Sequence, residues 1–146
     1  LSRPACVFVV PGDINTQTGG YIYDRKVISE LRACGFLVSV LRLSDTFPNP
    51  SADDQRLAHE QLTRVGPKTP MIIDGLALGS LAPETVAAIS SPIIGMIHHP
   101  LAYETGLDAD TSKRLFETEF ENLSKVEKVI VPSHFIKQLL VDKYQL

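Results

Sequence analysis

Four short stretches pair residue types able to do chemistry with places where chains of this pattern usually do it. Gly19-Gly20 lies in "PGDINTQTGGYIYDR", between the apolar run Cys6-Val7-Phe8-Val9-Val10 and a helical pattern. Asp74-Gly75 follows Met71-Ile72-Ile73, His98-His99-Pro100 follows "PIIGMI", and Ser133 follows "KVIVP". A glycine pair between a strand and a helix lets backbone approach a ligand closely, and the helix start offers free amides to a phosphate or carboxylate. The spacing is neither GxGxxG nor GxxxxGK[ST]. An anion site and a plain strand-to-helix turn needing positive φ therefore stay equally open.

His98 is the candidate catalytic residue. An imidazole titrates near neutral pH and can hydrogen-bond a substrate hydroxyl or stabilise developing charge, although from position alone a histidine that only caps a loop is the favoured reading. Adjacent residues of an extended chain point to opposite sides, so His98 and His99 could not ligate one metal together. No metal and no resident cofactor are expected. Asp74-Gly75 fits an acceptor for a hydroxyl-rich ligand, although a turn is the favoured reading. Ser133 is explained as a helix N-cap, and a helix start at a cleft also suits an anion. His59 and His134 read as solvated helix residues, and Asp24 and Arg25 as first-turn residues that need no function to explain them, although both could face the cleft. No GxSxG elbow, HExxH or paired-cysteine nucleophile occurs.

These stretches need a frame to bring them together. Residues 5–10 and 36–43 read as strands, as do residues 71–74, 92–97 and 128–131, all short, apolar and bounded by Gly or Pro. Between them the helical pattern recurs. Val27, Ile28, Leu31 and Cys34 precede a Gly35 stop; Ser51 caps a helix with Leu57, Ala58, Leu62 and Val65 inward. Pro83 opens a short helix to about Ile89, residues 111–124 carry Leu115, Phe116, Phe120 and Leu123, and Ser133 opens a helix with Ile136, Leu139, Leu140 and Tyr144. The alternation predicts an α/β fold, a doubly wound parallel sheet of about five strands with helices on both faces, Rossmann-like. Ligands of such sheets bind beyond the C-terminal strand ends at the switch in strand order, where all four stretches fall.

At 146 residues and 44% hydrophobic content, the chain can bury the core of one domain, residues 1–146. Fourteen basic and seventeen acidic side chains give a net charge of -3 without a basic block, so no nucleic-acid partner is expected. Cys6 and Cys34 form no metal or CxxC spacing, which suits a reduced, cytoplasmic protein. No apolar run reaches the roughly 18 residues of a membrane span, and the N-terminus has no signal-peptide pattern. The missing initiator Met and the end at Leu146 directly after a helix lead to the expectation of a trimmed start and further chain beyond.

Taken in order, "PGDINTQTGGYIYDRKVISEL", "IIDGLAL", "IGMIHHP" and "VEKVIVPSHFIKQLL" resemble the N-terminal, acceptor-side domain of a family 4 glycosyltransferase, a retaining enzyme of GT-B architecture. The resemblance implies a nucleotide-sugar donor as co-substrate, a hydroxyl acceptor that is a saccharide or lipid-linked, and a C-terminal donor domain absent from this chain. It implies that Gly19 and Gly20 approach the donor phosphates, that His98 lies near the transferred sugar and that Ser133 lines the same cleft. Asp74, Gly75, His99 and Asp13 are carried over more loosely. Glu119 and Glu127 match the spacing of the family's E-x7-E motif by coincidence, lacking its glycine-rich surroundings. The resemblance implies strand order 2-1-3-4-5, where sequence alone leaves 3-2-1-4-5 open. On its own the chain would be inactive, and peripheral membrane attachment stays open. The alternative is a stand-alone module binding a nucleotide or sugar phosphate without catalysis; a flavodoxin-like or response-regulator-like domain ranks third.

Overall fold

Ala5–Pro11 forms strand β1, where β-branched residues are held between Pro4 and Gly12. Gly12 ends the strand with a φ of 74°, and a Cβ there would lie 2.9 Å from Cβ of Asp45, so this turn demands glycine. Residues 2–146 are described by a computed structural model. Helix α1 (Gly19–Ala33) starts at the N-cap Thr18, whose hydroxyl accepts from the Tyr21 amide. It stops at Gly35, with a φ of 97°, where the Gly35 amide donates to Arg32 and the Phe36 amide to Leu31. That pair of bonds is a Schellman ending, as the Gly35 stop predicted.

Strand β2 (Leu37–Leu43) and helix α2 (Ala52–Thr63) follow, the latter opened by a capping box between Ser51 and Asp54. Strand β3 (Met71–Asp74) runs straight into the short helix α3 (Gly75–Leu78), and α4 (Pro83–Ala88) begins with its proline at the first helical position. Strand β4 (Ile93–Met96), a 3₁₀ turn (Leu101–Tyr103), helix α5 (Ala109–Leu123), strand β5 (Lys128–Ile130) and helix α6 (His134–Tyr144) complete the order.

The five strands form one parallel sheet in the order β2-β1-β3-β4-β5. Val7 pairs with Ser39 on one side and Met71 on the other, which makes β1 an interior strand; Asp74 pairs with Met96. The sheet is thus the α/β, Rossmann-like arrangement read from the sequence, with the resemblance's strand order. Alternation along the strands divides the core. Val9, Met71, Ile73 and Ile93 face α2 to α6 with Leu62, Leu123 and Leu140. Cys6, Phe8, Val10, Ile72 and Met96 face the other way, against Ile28 of α1. Among the described residues no helix is long and apolar enough to cross a membrane.

Several local readings change. Gly19 and Gly20 are the first residues of α1 rather than a loop, and neither takes positive φ. Asp74-Gly75 is not a plain turn: Asp74 caps α3 by accepting from the Leu76 amide at 2.9 Å. Leu57 is 47% exposed because α2 turns Ala58 and Leu62 inward instead. His59 is half-buried and shares a 3.0 Å hydrogen bond with the Thr85 hydroxyl, so it is not a solvated residue.

Candidate functional site

The switch in strand order lies between β1 and β3, and three side chains converge there. Asp74 stands at the end of β3, His98 just beyond β4, and Asp24 on the inward stripe of α1 with Tyr21 and Ile28. His98 Nε2 donates to Asp24 Oδ1 at 2.9 Å and lies 3.4 Å from Asp74 Oδ2. Both carboxylates are fully buried, whereas the His98 side chain is 23% exposed. Nδ1 of His98 bonds to none of the described residues and is not among the buried atoms left without a partner, so this edge of the ring keeps contact with solvent.

Away from that edge the ring is packed. Tyr23 meets it edge to face, with centroids 5.4 Å apart. Below it lies Gly20, where an added Cβ would come 3.2 Å from Cδ2. Gly75 is equally confined, an added Cβ lying 3.1 Å from the Met96 carbonyl oxygen. So Gly20 serves close packing of the histidine on α1 rather than a left-handed turn.

The charges follow from burial and from each other. Burial pushes the Asp24 carboxyl up to about 7, with Asp74 adding to the rise and the His98 hydrogen bond opposing it. Burial acts on Asp74 in the same sense, but hydrogen bonds from His98, Asp24 and the Leu76 amide outweigh it and hold Asp74 below the usual carboxylate range. For His98, burial favours the neutral ring, yet the two carboxylates prevail and raise it to about 9. Asp24 Oδ2 and Asp74 Oδ2 are both buried without a partner, and of the two carboxyls it is Asp24, raised by burial, that favours a proton. At neutral pH the cluster is then an ionised Asp74, an imidazolium and an Asp24 near its midpoint.

A cavity of about 380 Å³ opens over this cluster. Thr18, Gly20 and Tyr21 form its α1 wall, Asp45 and Phe47 its β2 side, and Asp74, Gly75 and Leu76 its floor, with His98, His99 and Glu104 opposite. The Tyr21 hydroxyl donates to the Pro11 carbonyl, and burial with the charges of Asp74, Asp24 and Asp45 raises it to about 12. His99 lies with its Nδ1 3.3 Å from a Glu104 carboxylate oxygen, and both residues line the same cavity as His98.

Of the residues singled out in the sequence, the structure brings Gly20, Asp74, Gly75, His98 and His99 to this cavity. Gly19 does not line it, and a Cβ there would meet nothing within 4 Å. Ser133 is exposed, caps α6 by accepting from the Ile136 amide at 3.3 Å, and does not line it either. Asp13 accepts from the Asn15 amide in a local turn, and Arg25 donates to the Ile14 and Thr16 carbonyls, bracing the loop before α1. Glu119 is fully buried and Glu127 exposed, so they share no site. Asp24 was missed, although its signal was there: it falls three and four residues before Val27 and Ile28 on the same helical stripe. Asp24, Asp74 and His98 also offer donor atoms within 4.8 Å of one another, a spacing that suits a cation. A cation there would have to displace the proton on the imidazole and compete with the proton that burial favours on Asp24.

No family model and no curated protein matches the chain. Among solved structures it is similar to a 3-dehydroquinate dehydratase-like protein from Bifidobacterium longum, with 14% identity, a TM-score of 0.45, and coverage of 97% of this chain and 96% of that one. This comparison corrects the resemblance read from the sequence: the similarity found is to a dehydratase-like protein, not to the acceptor half of a GT-B glycosyltransferase. The retaining, nucleotide-sugar-dependent activity rested on that resemblance alone and is withdrawn with it, and a stand-alone nucleotide or sugar-phosphate module gains no support. The physical reason is that each motif behind the resemblance lies at a strand end, and any doubly wound sheet makes those positions prominent whatever its chemistry. At this identity and score the similarity itself says nothing of what this chain binds or does.

Proposed function

We propose that the protein is an acid-base enzyme acting on a small, hydroxyl- or carbonyl-bearing molecule, with His98 as proton donor to a substrate oxygen on which negative charge develops. The observation that carries this reading is the orientation of the ring: Nε2 is anchored on Asp24 and Asp74, and Nδ1 keeps contact with solvent on a ring that lines the cavity. Asp74 holds the imidazolium and fixes its direction, and the carboxylates keep it protonated at neutral pH. A preformed donor at the wall of a partly enclosed cavity stabilises an oxyanion without reorganising. Asp24, on which burial favours a proton, keeps the buried cluster close to neutral. The backbone amides at the start of α1, beside Gly20, favour an anionic group on the same ligand. Free thiols at Cys6 and Cys34 support placing the protein in a reducing, cytoplasmic compartment.

The test is a panel of small hydroxy acids, keto acids and polyols added to labelled protein, followed by turnover assays on those that bind. Binders should move the amide resonances of Gly20, Leu76 and His98, and His98→Gln should cut turnover by about a hundredfold or more in protein that is still folded at the assay temperature, its melting temperature lowered by the loss of the contact to Asp24 and Asp74. A substrate turned over equally by wild type and His98→Gln would refute the role of His98.

A further inference from the structure

We propose that Glu119 of α5, together with Asn122 one turn along, is the positioning residue of this site, holding by their backbone the two segments that carry His98 and Asp74. Its functional meaning rests on the reading of His98 above; its geometry does not.

Glu119 is fully buried, a state that a carboxylate sustains only when donors meet its oxygens. Oε2 accepts from the Leu101 amide at 2.8 Å, and Oε1 from the Tyr144 hydroxyl at 2.6 Å and from the Ala102 amide at 3.4 Å. Leu101 and Ala102 open the 3₁₀ turn that directly follows His98-His99-Pro100, so their amides lack partners within the turn. A carboxylate from another helix thus acts as the N-cap of the segment leading from His98. Burial, the Glu119 charge and the hydrogen bond between them all push the Tyr144 phenol up, so Tyr144 stays the donor.

Asn122 takes the other segment. Its Nδ2 donates to the Leu78 carbonyl at 2.7 Å and the Leu81 carbonyl at 2.9 Å, at the end of the short helix that Asp74 caps. Three residues apart on a helix, Glu119 and Asn122 share one face. Gly79 makes the room: a Cβ there would lie 2.8 Å from Glu119 Oε2 and 2.8 Å from Leu101 Cδ1. The end of α3, the 3₁₀ turn and α5 therefore meet at one carboxylate. Apolar side chains of the same volume would hold α5 to the sheet as firmly. They would not supply a directional grip on the amides behind His98.

The test takes the full chain with Glu119→Gln and Tyr144→Phe, and reads amide hydrogen exchange together with the ring resonances of His98. Glutamine keeps the shape but sets an NH₂ against donors. Exchange at Leu101 and Ala102 should then rise by roughly tenfold or more relative to β1, with the His98 ring resonances displaced. Tyr144→Phe should show both effects in smaller measure, and serves if the Gln variant does not fold. A uniform rise in exchange, or a local rise with the His98 ring unmoved, would overturn the proposal. Failure of the proton-donor reading would appear elsewhere, as an ordinary titration midpoint for His98 in the wild-type protein, and the same exchange and ring measurements would still decide the role of Glu119.

Discussion

With Nε2 on two buried carboxylates, His98 should be an imidazolium over the whole neutral range. The wild-type ring is expected to titrate with a midpoint near 9, read by NMR, and Asp24→Asn should move that midpoint down toward the ordinary histidine value. A midpoint unmoved by the substitution would mean that Asp74 alone holds the proton. The positions of His98 and Asp74 were legible in the sequence because strand ends converge at a switch point, so a histidine and an aspartate just beyond apolar runs are brought together by topology. Asp24 was not, because from the sequence it read as a first-turn carboxylate, which the helix dipole explains, whereas α1 begins at Gly19 and places it a turn further in. Only the phase of the helical stripe betrayed it, and that phase becomes meaningful once the partner across the cleft is known.

At the scale of elements, helix α1 carries a conflict that can be measured. Gly20→Ala adds helix propensity of up to about 1 kcal/mol, but its methyl would press on His98 Cδ2. The two effects should largely offset in stability, by denaturant unfolding, while the His98 midpoint falls because the ring leaves Asp24. An unchanged midpoint would show that the ring yields freely and that glycine is not required there. Helix α6 offers the contrast: Ser133→Ala removes its N-cap and should cost about 1 kcal/mol, without moving the His98 resonances, since Ser133 does not line the cavity. Strands and long helices were readable from period and caps. The four-residue α3 was not, because so short a helix has no period to show, and Asp74-Gly75 carries the chemistry of a turn and of a cap alike.

For the molecule as a whole, the cluster sets a pH dependence. His98, raised above its unfolded value of 6.5, adds stability that is complete below that pH and is lost as pH rises through about 9. Asp24, raised from 3.8 to about 7, acts in the same sense at lower pH: folding favours its proton, and that contribution fades between those values. Asp74 acts oppositely, its contribution present above 3.8 and lost as pH falls through its depressed folded value. Urea midpoints should therefore decline from about pH 5 to 7 and again toward 9, with Asp24→Asn flattening the first decline. A rise over that interval would contradict the assigned protonation. The sheet itself was legible in kind, from alternating apolar runs and helical periods, while its strand order was not, because two orders satisfy the same pattern. One bond carries a further meaning in time. The hydrogen bond from His98 to Asp24 joins residues 74 apart in sequence and crosses from α1 to the end of β4. During synthesis, α1 must wait, with a carboxyl that lacks its His98 partner, until residue 98 has left the ribosome, and contacts so far apart in sequence are among the slower ones to form. A raised midpoint for His98 would then also serve as a clock, expected only once the sheet is built through its fourth strand.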